Sequence, residues 1–489
     1  MSSPGSVDSP PTLTPGRNCW RIEHADRARL IVDADDYFRA ARAAMKSAER
    51  RIMLIGWDFD SRIDLGTSDS PDEPARIGPF LPWLVRRRPE LDIYVLRWNF
   101  GAIKSLFRGT TALSVARWWL NKRIHVKFDS AHPLGASHHQ KIVVIDDCLA
   151  FCGGIDMTAG RWDTREHLDD NPERLLPNGK PHGPWHDATL ALEGSVARAL
   201  AELARDRWKS AGGKALAPID HRNNCWPNDL EPHFHDLHIG IARTHPEYGD
   251  HDVAHEIEQL YVDLIRRAKR FIYAESQYFA SRRIAETIVE RLQQPDPPEI
   301  VLINPAQADG WLEQEAMDTA RARLWDAIRS ADPTERFRIY HPVTAKREPI
   351  YVHAKIMIVD DAVLRVGSSN WNNRSLRLDT ECDIAIDTDL PGNASARPVI
   401  AAQLADLLAE HLNRSPEDVA RELSRRGSLI ATIEHLRGEG RSLRPYRRPS
   451  LSKIERAIAD NELLDPEGPD AMFEPIAKRS LFHRLRHPR

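Results

Sequence analysis

The two stretches that decide the fold of this chain are His139-Gln140-Lys141 followed by Asp146, and His353-Ala354-Lys355 followed by Asp360. Each has the form H-x-K-x-x-x-x-D. A three-residue pattern of this kind is expected by chance in about one chain of this length in twenty, so one copy would mean little. Here the two copies also match downstream, since each histidine is followed fourteen residues later by a glycine segment. These segments are Gly153-Gly154-Ile155-Asp156 and Gly367-Ser368-Ser369-Asn370.

The repeat extends to whole helix-and-strand units. Residues 36–52 have the apolar spacing of an amphipathic helix and run into an apolar strand at 53–55, and residues 256–272 repeat this arrangement at an offset of 220. Further strands are predicted at 93–96 and 300–303. This alternation predicts an α/β fold of two similar halves, each a mixed β-sheet flanked by helices, with a helical C-terminal tail.

Composition and the positions of turn-forming residues suggest four regions. Residues 1–19 begin with a stretch rich in Ser, Pro and Thr and are expected to form a disordered leader. The first half is placed at 20–235 and the second at 236–410. Residues 411–489 are expected to form a helical extension with a basic end at 478–489. A basic end of this kind is more ordinarily a solvated terminus, but it could lie on an anionic membrane surface.

The charge balance does not favour a polyanionic partner, because 68 Lys and Arg face 72 Asp and Glu. No run of eighteen apolar residues and no Sec-type signal peptide is present, so membrane contact is expected to be peripheral, in the cytoplasm or after non-classical export. The five cysteines have no zinc-ligand spacing, and disulfides are not expected to organise the fold. Cys148 and Cys152 are interpreted as buried free thiols.

The motif residues suit phosphoryl chemistry. The runs 142–145 and 356–359 are apolar, rich in β-branched residues and followed by acidic doublets, which predicts two buried strands ending in turns. Residues i and i+2 share one face of a strand, so each histidine projects beside its lysine. An imidazole can attack phosphorus or transfer a proton, while an ammonium group binds a phosphoryl oxygen. Two facing pairs would divide the cleavage of a phosphodiester into two steps through a phosphohistidine.

This duplicated motif resembles the signature of the phospholipase D superfamily, over most of residues 20–410. Additional segments resemble its phosphatidylcholine-hydrolysing branch. They are Gly160-Arg161-Trp162-Asp163-Thr164, Pro184-Trp185-His186-Asp187, Glu275-Ser276-Gln277-Tyr278-Phe279, and Asn373-Arg374-Ser375 with Glu381. The resemblance implies one active site between the halves and neither a cofactor nor a catalytic metal.

The resemblance also implies roles for individual residues. His139 would be the nucleophile and His353 the general acid, although the order of the two is open, and Lys141, Lys355 and Asn370 would hold the phosphate. Glu381, which lies 28 residues after His353, resembles a carboxylate that orients a catalytic imidazole. Asp187 is the candidate for that role in the first half, because His167 occupies the position 28 residues after His139. Asp146 and Asp360 complete the catalytic motif and are expected to hold the strand-end turns. Asp156, which replaces Asn370 in the first copy, is interpreted as an orienting or structural residue and not as a phosphate ligand.

The leading functional hypothesis is a monomeric phospholipase D that releases the head group of phosphatidylcholine at a membrane surface, with water or a short alcohol as acceptor. The alternatives are a superfamily nuclease, a cardiolipin-synthase-like phosphatidyltransferase and a non-catalytic protein that binds acidic phospholipids. A nucleic-acid partner is not expected. Aromatic residues near the motifs could surround a choline ammonium, although core packing is the more ordinary role for any one of them. These are Trp57, Trp162, Trp185, Tyr278 and Trp371.

Overall fold

The computed structural model describes residues 12–67, 70–98, 118, 120–133, 135–220, 223–249, 252–307 and 311–448, with the backbone alone at 311–316. The strands of the first half are β1 (Arg21–Val32), β2 (Arg51–Gly56), β3 (Asp92–Trp98), β4 (Ile124–Asp129), β5 (Ile142–Ile145), β6 (Leu149–Gly153), β7 (Trp185–His186) and β8 (Ala188–Gly194). Those that follow are β9 (Phe234–His245), β10 (Ala254–His255), β11 (Phe271–Glu275), β12 (Glu299–Ile303), β13 (Phe337–Val343), β14 (Tyr351–Val352), β15 (Ile356–Val359), β16 (Val363–Gly367), β17 (Glu381–Asp387) and β18 (Ser442–Pro445).

The helices flank these strands. They are α1 (Ala34–Ser47), α2 (Ile77–Arg87), α3 (Ser195–Ser210), α4 (Glu256–Arg267), α5 (Arg282–Leu292), α6 (Trp311–Ala331), α7 (Ala396–Leu412), α8 (Pro416–Arg426) and α9 (Leu429–Leu436). A π-helical turn spans Arg374–Leu378.

One continuous mixed sheet runs through the molecule in the order β18-β13-β12-β11-β15-β16-β17-β9-β1-β8-β6-β5-β2-β3-β4. Its centre is the antiparallel pair β1 and β9, and the strand order outward from this pair is the same on both sides except that β18 has no counterpart beside β4. β2, β3 and β4 are parallel to one another, as are β11, β12 and β13. The prediction of two similar α/β halves with a mixed sheet is confirmed, and the predicted boundary at 235/236 falls within β9.

The motif strands are buried on both faces, which explains their unbroken apolar sequence. In β5, Ile142 and Val144 belong to the same core as α3, whereas Val143 and Ile145 belong to the core beneath α1. This alternation follows from the two-residue period of a strand. The strand is therefore held from both sides, and the side chains at its beginning have fixed positions.

Residues 12–19 are ordered, in contrast to the predicted disordered leader. Leu13 is 3% exposed, and Asn18 and Cys19 are fully buried. The Asn18 amide donates to Asp263 Oδ2 at 2.7 Å, and the Thr12 N–H donates to Asp387 Oδ2 at 2.7 Å. These contacts with distant carboxylates order a stretch whose composition alone suggests disorder. Residues 1–11 lie outside the described part of the chain.

The predicted C-terminal extension is helical in α8 and α9, but its boundary and its end differ from the prediction. The predicted start at residue 411 falls inside α7. β18 was not predicted, and it adds an antiparallel strand to the edge of the sheet beside β13. The basic segment 478–489 lies outside the described residues.

The interpretation of Cys148 as a free thiol is wrong in this structure. Cys148 forms a disulfide with Cys225, 77 residues away, which joins the turn after β5 to the segment between the halves. Cys152 is a buried free thiol, as predicted. The spacing of cysteines cannot show a pairing between segments that meet only in the folded chain.

The motif aspartates lie at the far end of β5 and β15 from the histidines. The Asp146 carboxylate accepts the backbone N–H groups of Glu49, Arg50 and Arg51 at 2.7, 2.8 and 2.6 Å. Asp360 accepts those of Lys269, Arg270 and Phe271 at 2.7, 2.8 and 2.9 Å. Five strand residues span about 16 Å, so neither carboxylate reaches the site at the beginning of the strand. Each carboxylate holds the turn that leads into the strand paired with its own, which is β2 for Asp146 and β11 for Asp360.

We therefore expect Asp146→Ala to reduce stability and not chemistry. The substitution leaves three N–H donors without their acceptor, and the expected loss is about 3–5 kcal/mol in the free energy of unfolding. Urea unfolding followed by tryptophan fluorescence measures it. The matched variant Asp146→Asn keeps one amide oxygen and should lose less. A full loss of kcat at wild-type stability would place Asp146 in the reaction instead.

Candidate active site

The two motif histidines lie where the halves meet, and short backbone pairings place them there. The His353 N–H donates to the His186 carbonyl at 2.7 Å, next to the parallel pairing of β14 with β7. The His139 N–H donates to the Thr380 carbonyl at 3.0 Å, beside a bridge between His138 and Thr380. Each histidine is thus attached to a segment of the opposite half.

The same pairings determine which carboxylate orients which imidazole. His139 Nδ1 lies 2.9 Å from both carboxylate oxygens of Glu381, and His353 Nδ1 lies 2.7 Å from Asp187 Oδ2. The expected pairing was within each half, and the structure pairs them across the halves instead. Glu381 and Asp187 are both fully buried. With Nδ1–H bonded to a carboxylate, Nε2 of each imidazole is the nitrogen available to a substrate.

Both imidazoles are held neutral in the free site. Burial lowers the pKa of His139 well below its ordinary value, and the charges of Lys141 and Lys355 lower it further. Burial likewise lowers the pKa of His353, followed by the charges of Lys355, Arg161 and Lys141. Each histidine is therefore influenced by the lysine of the other motif, as expected if the two motifs share one site. A neutral imidazole is the form that can attack phosphorus.

The two lysines lie beside their histidines but have different surroundings. Lys141 Nζ donates to the His139 carbonyl at 2.8 Å and lies 3.3 Å from Asp156 Oδ2. Lys355 Nζ donates to the His353 carbonyl and lies 3.4 Å from Gln277 Oε1. Two buried ammonium groups next to two neutral imidazoles form a binding place for an anion.

The residues that follow the glycines break the symmetry of the halves. Asp156 Oδ1 accepts the Trp57 N–H at 3.0 Å, so this carboxylate orients a loop and faces Lys141. Asn370 contacts Gln277, whose N–H lies 3.3 Å from Asn370 Oδ1. An amide can donate to a phosphate oxygen, whereas an ionised carboxylate repels it. The second copy thus offers an amide that can donate a hydrogen bond at the position where the first copy has a carboxylate.

The pKa of Lys355 gives the site a testable pH dependence. Burial lowers it to about 7, with Asp187 opposing the change. A lysine loses its charge above its pKa, so kcat/KM is expected to fall as pH rises through about 7. In Lys355→Arg this decrease should move far upward, because a guanidinium keeps its charge to a pH of about 12. The profile is measured with a soluble phosphodiester.

Lys141→Arg is the matched control, since it leaves Lys355 in place and should retain the alkaline decrease. An unchanged decrease in Lys355→Arg would show that another group titrates.

Two of the five aromatic candidates have ring contacts with the motif histidines. The ring centroid of Trp57 is 6.4 Å from that of His139, and Trp57 stacks on Trp98. The ring of Trp185 is 5.3 Å from that of His353, and Arg161 lies over it at 4.0 Å. The others have different surroundings: Trp371 is in the core of the second half, the Trp162 indole donates to Asp35, and Tyr278 contacts Gln277.

Sequence reasoning gave no role to several side chains at the site. Gln277 connects Asn370, Lys355 and Tyr351, and it belongs to a segment whose resemblance to the family was visible. Ser368 donates its hydroxyl to Glu381, which shows why a serine follows the glycine in the second copy. Behind Asp187 lies a buried group of side chains able to hold a metal ion. It consists of Asp33, His167, His186 and Glu410.

Comparisons with known proteins match both halves. The family model described as Phospholipase D matches residues 44–286, and the model described as Cardiolipin synthase, PLD-like domain, matches residues 261–406. Phospholipase D A of Dictyostelium discoideum is 27% identical over 467 residues, covering 80% of this chain and 36% of that protein. Phospholipase D alpha 1 of Carica papaya is 26% identical over 507 residues, covering 76% of this chain and 63% of that protein. The chain thus spans less than two thirds of the length of either relative.

A solved structure shares the fold. Phosphatidylserine synthase of Haemophilus influenzae Rd KW20 superposes with a TM-score of 0.51 at 13% identity, over 85% of this chain and 94% of that one. The two family models match overlapping parts of the chain, and each part contains one copy of the repeated motif. The chain belongs to the phospholipase D superfamily.

Proposed function

We propose that this chain is a phospholipase D that cleaves the distal phosphodiester bond of a glycerophospholipid, giving phosphatidic acid and the free head group. The observation that carries the proposal is the pair of His–carboxylate contacts across the halves, His139 with Glu381 and His353 with Asp187, beside two lysines. The relatives named phospholipase D support the lipid substrate. All of these residues come from one chain, so a monomer contains a complete site.

In the first step, Nε2 of His139 attacks phosphorus and the bond to the head-group oxygen breaks. His353 supplies the proton that this oxygen takes up. The free site disfavours protonated His353, but a bound phosphodiester anion offsets the charges of Lys141 and Lys355 and raises the pKa of His353. Lys141, Lys355 and Asn370 hold the non-bridging oxygens.

In the second step, water attacks the phosphohistidine while neutral His353 takes its proton. The bond between phosphorus and His139 breaks, phosphatidic acid leaves and His139 is again neutral. Glu381 stabilises the positive charge that the adduct places on the imidazole of His139. A short alcohol in place of water gives the transphosphatidylation product by the same route.

The choice of substrate class has one direct test. Purified protein given phosphatidylcholine in mixed micelles with ethanol should form phosphatidylethanol and choline. Cleavage of plasmid or oligonucleotide with no product from lipid would contradict the proposal and favour a nuclease. The near balance of 68 basic and 72 acidic residues gives no support to the nuclease alternative.

A phosphatidyltransferase is the second candidate, because the model matched by the second half is described as a cardiolipin synthase domain. Among the described residues, no helix has the length and apolar character needed to cross a bilayer. With phosphatidylglycerol as both donor and acceptor, a transferase would form a diphosphatidyl lipid in preference to phosphatidic acid. Thin-layer separation of the lipid products distinguishes the two activities.

A further inference from the structure

A second group of titratable side chains lies outside the candidate active site, at the seam between the halves. Asp33 precedes α1, His167 lies in the loop before β7, His186 ends β7, and Glu410 is in the last turn of α7. All four side chains are at most 1% exposed. We call them the seam cluster. Four polar groups gathered from distant segments and removed from water require a partner of opposite charge.

One possible ligand atom from each member of the seam cluster lies within 4.8 Å of those of the other three. His186 Nδ1 lies 2.7 Å from Glu410 Oε1 and 3.3 Å from Asp33 Oδ1. His167 Nε2 lies 3.1 Å from Glu410 Oε1 and 3.4 Å from Asp33 Oδ2. A tetrahedral ion with bonds of about 2.0–2.1 Å sets its ligands about 3.3 Å apart. One nitrogen or oxygen from each residue can therefore face a common centre.

Two of these atoms have no hydrogen bond, which points to a ligand that is not a protein group. Asp33 Oδ2 and His186 Nδ1 are buried polar atoms without a hydrogen-bond partner. His186 Nδ1 is close to Glu410 Oε1, yet the two do not meet in the geometry of a hydrogen bond. His167 Nε2 and Glu410 Oε1 are within hydrogen-bond distance of each other at 3.1 Å, so Asp33 Oδ2 and His186 Nδ1 are the two atoms of the seam cluster that lack a partner and can face a metal ion.

The outer atoms of the seam cluster have the partners that metal ligands need. His167 Nδ1 lies 2.9 Å from Asp163 Oδ2, and His186 Nε2 lies 2.8 Å from Glu275 Oε2. A carboxylate on the far nitrogen fixes which nitrogen of a histidine faces the metal. The second oxygen of Glu410 accepts Arg165 Nε at 2.6 Å. Because Glu275 already bonds the Nε2 of His186, a centre that uses Nδ1 is favoured over one involving Glu275.

The charge of this buried region also calls for a divalent cation. Its carboxylates are Asp33, Asp163, Glu275 and Glu410, and its guanidinium groups are Arg165 and Arg174. With both imidazoles neutral, these four carboxylates exceed the two guanidinium groups by two negative charges, and Arg165 is also shared with Asp406. One divalent ion neutralises them, and so would two protons, one on each histidine. The unpartnered Asp33 Oδ2 and His186 Nδ1 are the observation that supports the ion.

We propose that Asp33, His167, His186 and Glu410 bind one divalent transition-metal ion with the preferences of Zn²⁺, and that this ion is structural. Four protein ligands and no exposed face leave no open position for a substrate. The ion would join segments of both halves directly behind Asp187, whose N–H donates to Asp33 Oδ1 at 3.1 Å. It takes no part in the reaction proposed above and does not depend on it.

The test is the metal content of the full chain. The protein is purified without a metal-affinity tag, and its metal content is measured by elemental mass spectrometry. We expect about one zinc-type ion per chain in the wild type and at least about tenfold less in His167→Gln and Glu410→Gln. His411→Gln is the matched control, since His411 is equally buried and bonds Glu275 at 3.1 Å but lies outside the seam cluster. This variant should retain the ion.

A measurement on the wild-type protein alone tests the proposal even if the variants fail to fold. Protein stripped by a chelator is titrated with Co²⁺, and a tetrahedral site should give strong visible absorption together with a rise in the thermal midpoint. Metal-free wild type with neither response to Co²⁺ would overturn the proposal and leave the seam cluster as an ion network held by protons. Metal retained in full by His167→Gln and Glu410→Gln would overturn it as well, by placing the ion elsewhere.

Discussion

His139→Ala is expected to reduce kcat for head-group release by at least about 10⁴-fold, because the variant has no nitrogen to form the covalent intermediate. His353→Ala should lose as much with phosphatidylcholine, whose leaving alkoxide requires a proton. The two variants should differ with an activated substrate such as phosphatidyl-p-nitrophenol, whose leaving group departs without protonation. His353→Ala should then release nitrophenol in a burst, while His139→Ala should remain inactive.

His138→Gln is the matched control for these variants. His138 is a buried neighbour of His139 and bonds the Thr380 hydroxyl at 3.0 Å, so the amide preserves a polar contact without affecting the chemistry. Its kcat should stay within a few-fold of the wild type. A burst in His139→Ala and none in His353→Ala would reverse the assigned order of the histidines.

Glu381→Gln and Asp187→Asn are expected to reduce kcat by about 10²–10⁴-fold, since each removes the carboxylate that orients an imidazole and stabilises its positive charge. The contacts across the halves predict how they differ. Glu381→Gln should impair attack by His139, so the activated substrate gives no rescue. Asp187→Asn should impair proton donation by His353, so the activated substrate restores the burst.

These two variants also distinguish two ways of pairing the histidines with the carboxylates. In the structure each histidine pairs with a carboxylate of the other half, whereas the spacing of residues suggested a pairing within each half. Pairing within halves predicts the opposite pattern of rescue. A circular-dichroism spectrum and a thermal midpoint close to those of the wild type are needed as controls, because both carboxylates are fully buried. Ser375→Ala is a further comparison: burial raises the pKa of Glu381 to about 8, the Ser375 hydroxyl is one of the groups that oppose this rise, and we expect a smaller loss of activity.

The features that sequence predicted best are local. The apolar runs at 142–145 and 356–359 coincide with β5 and β15, because their side chains are buried on both faces and the acidic doublets end the strands. The helix-to-strand units that precede them were also predicted from local sequence, because the spacing of apolar residues changes there from the period of a helix to that of a strand. Likewise, the proximity of each histidine to its lysine follows from strand geometry alone.

The features that sequence missed depend on which segments meet. Glu381 was expected to serve the histidine of its own half, but the bridge between His138 and Thr380 places it beside His139. The disulfide of Cys148 joins strands to a distant linker, and β18 completes a sheet edge from far along the chain. Distances along a sequence do not report such long-range contacts. The seam cluster is another example, since its four members come from four separate segments.

The central claim is that His139 carries the covalent intermediate in a site that both halves build. The most direct measurement mixes the enzyme with phospholipid labelled in the phosphate, stops the reaction in alkali within the first turnover, and locates the label by peptide mass spectrometry. We predict the phosphate label on the peptide that contains His139, and its absence in His139→Ala. Label on His353, or complete turnover with no label on either histidine, would contradict the claim.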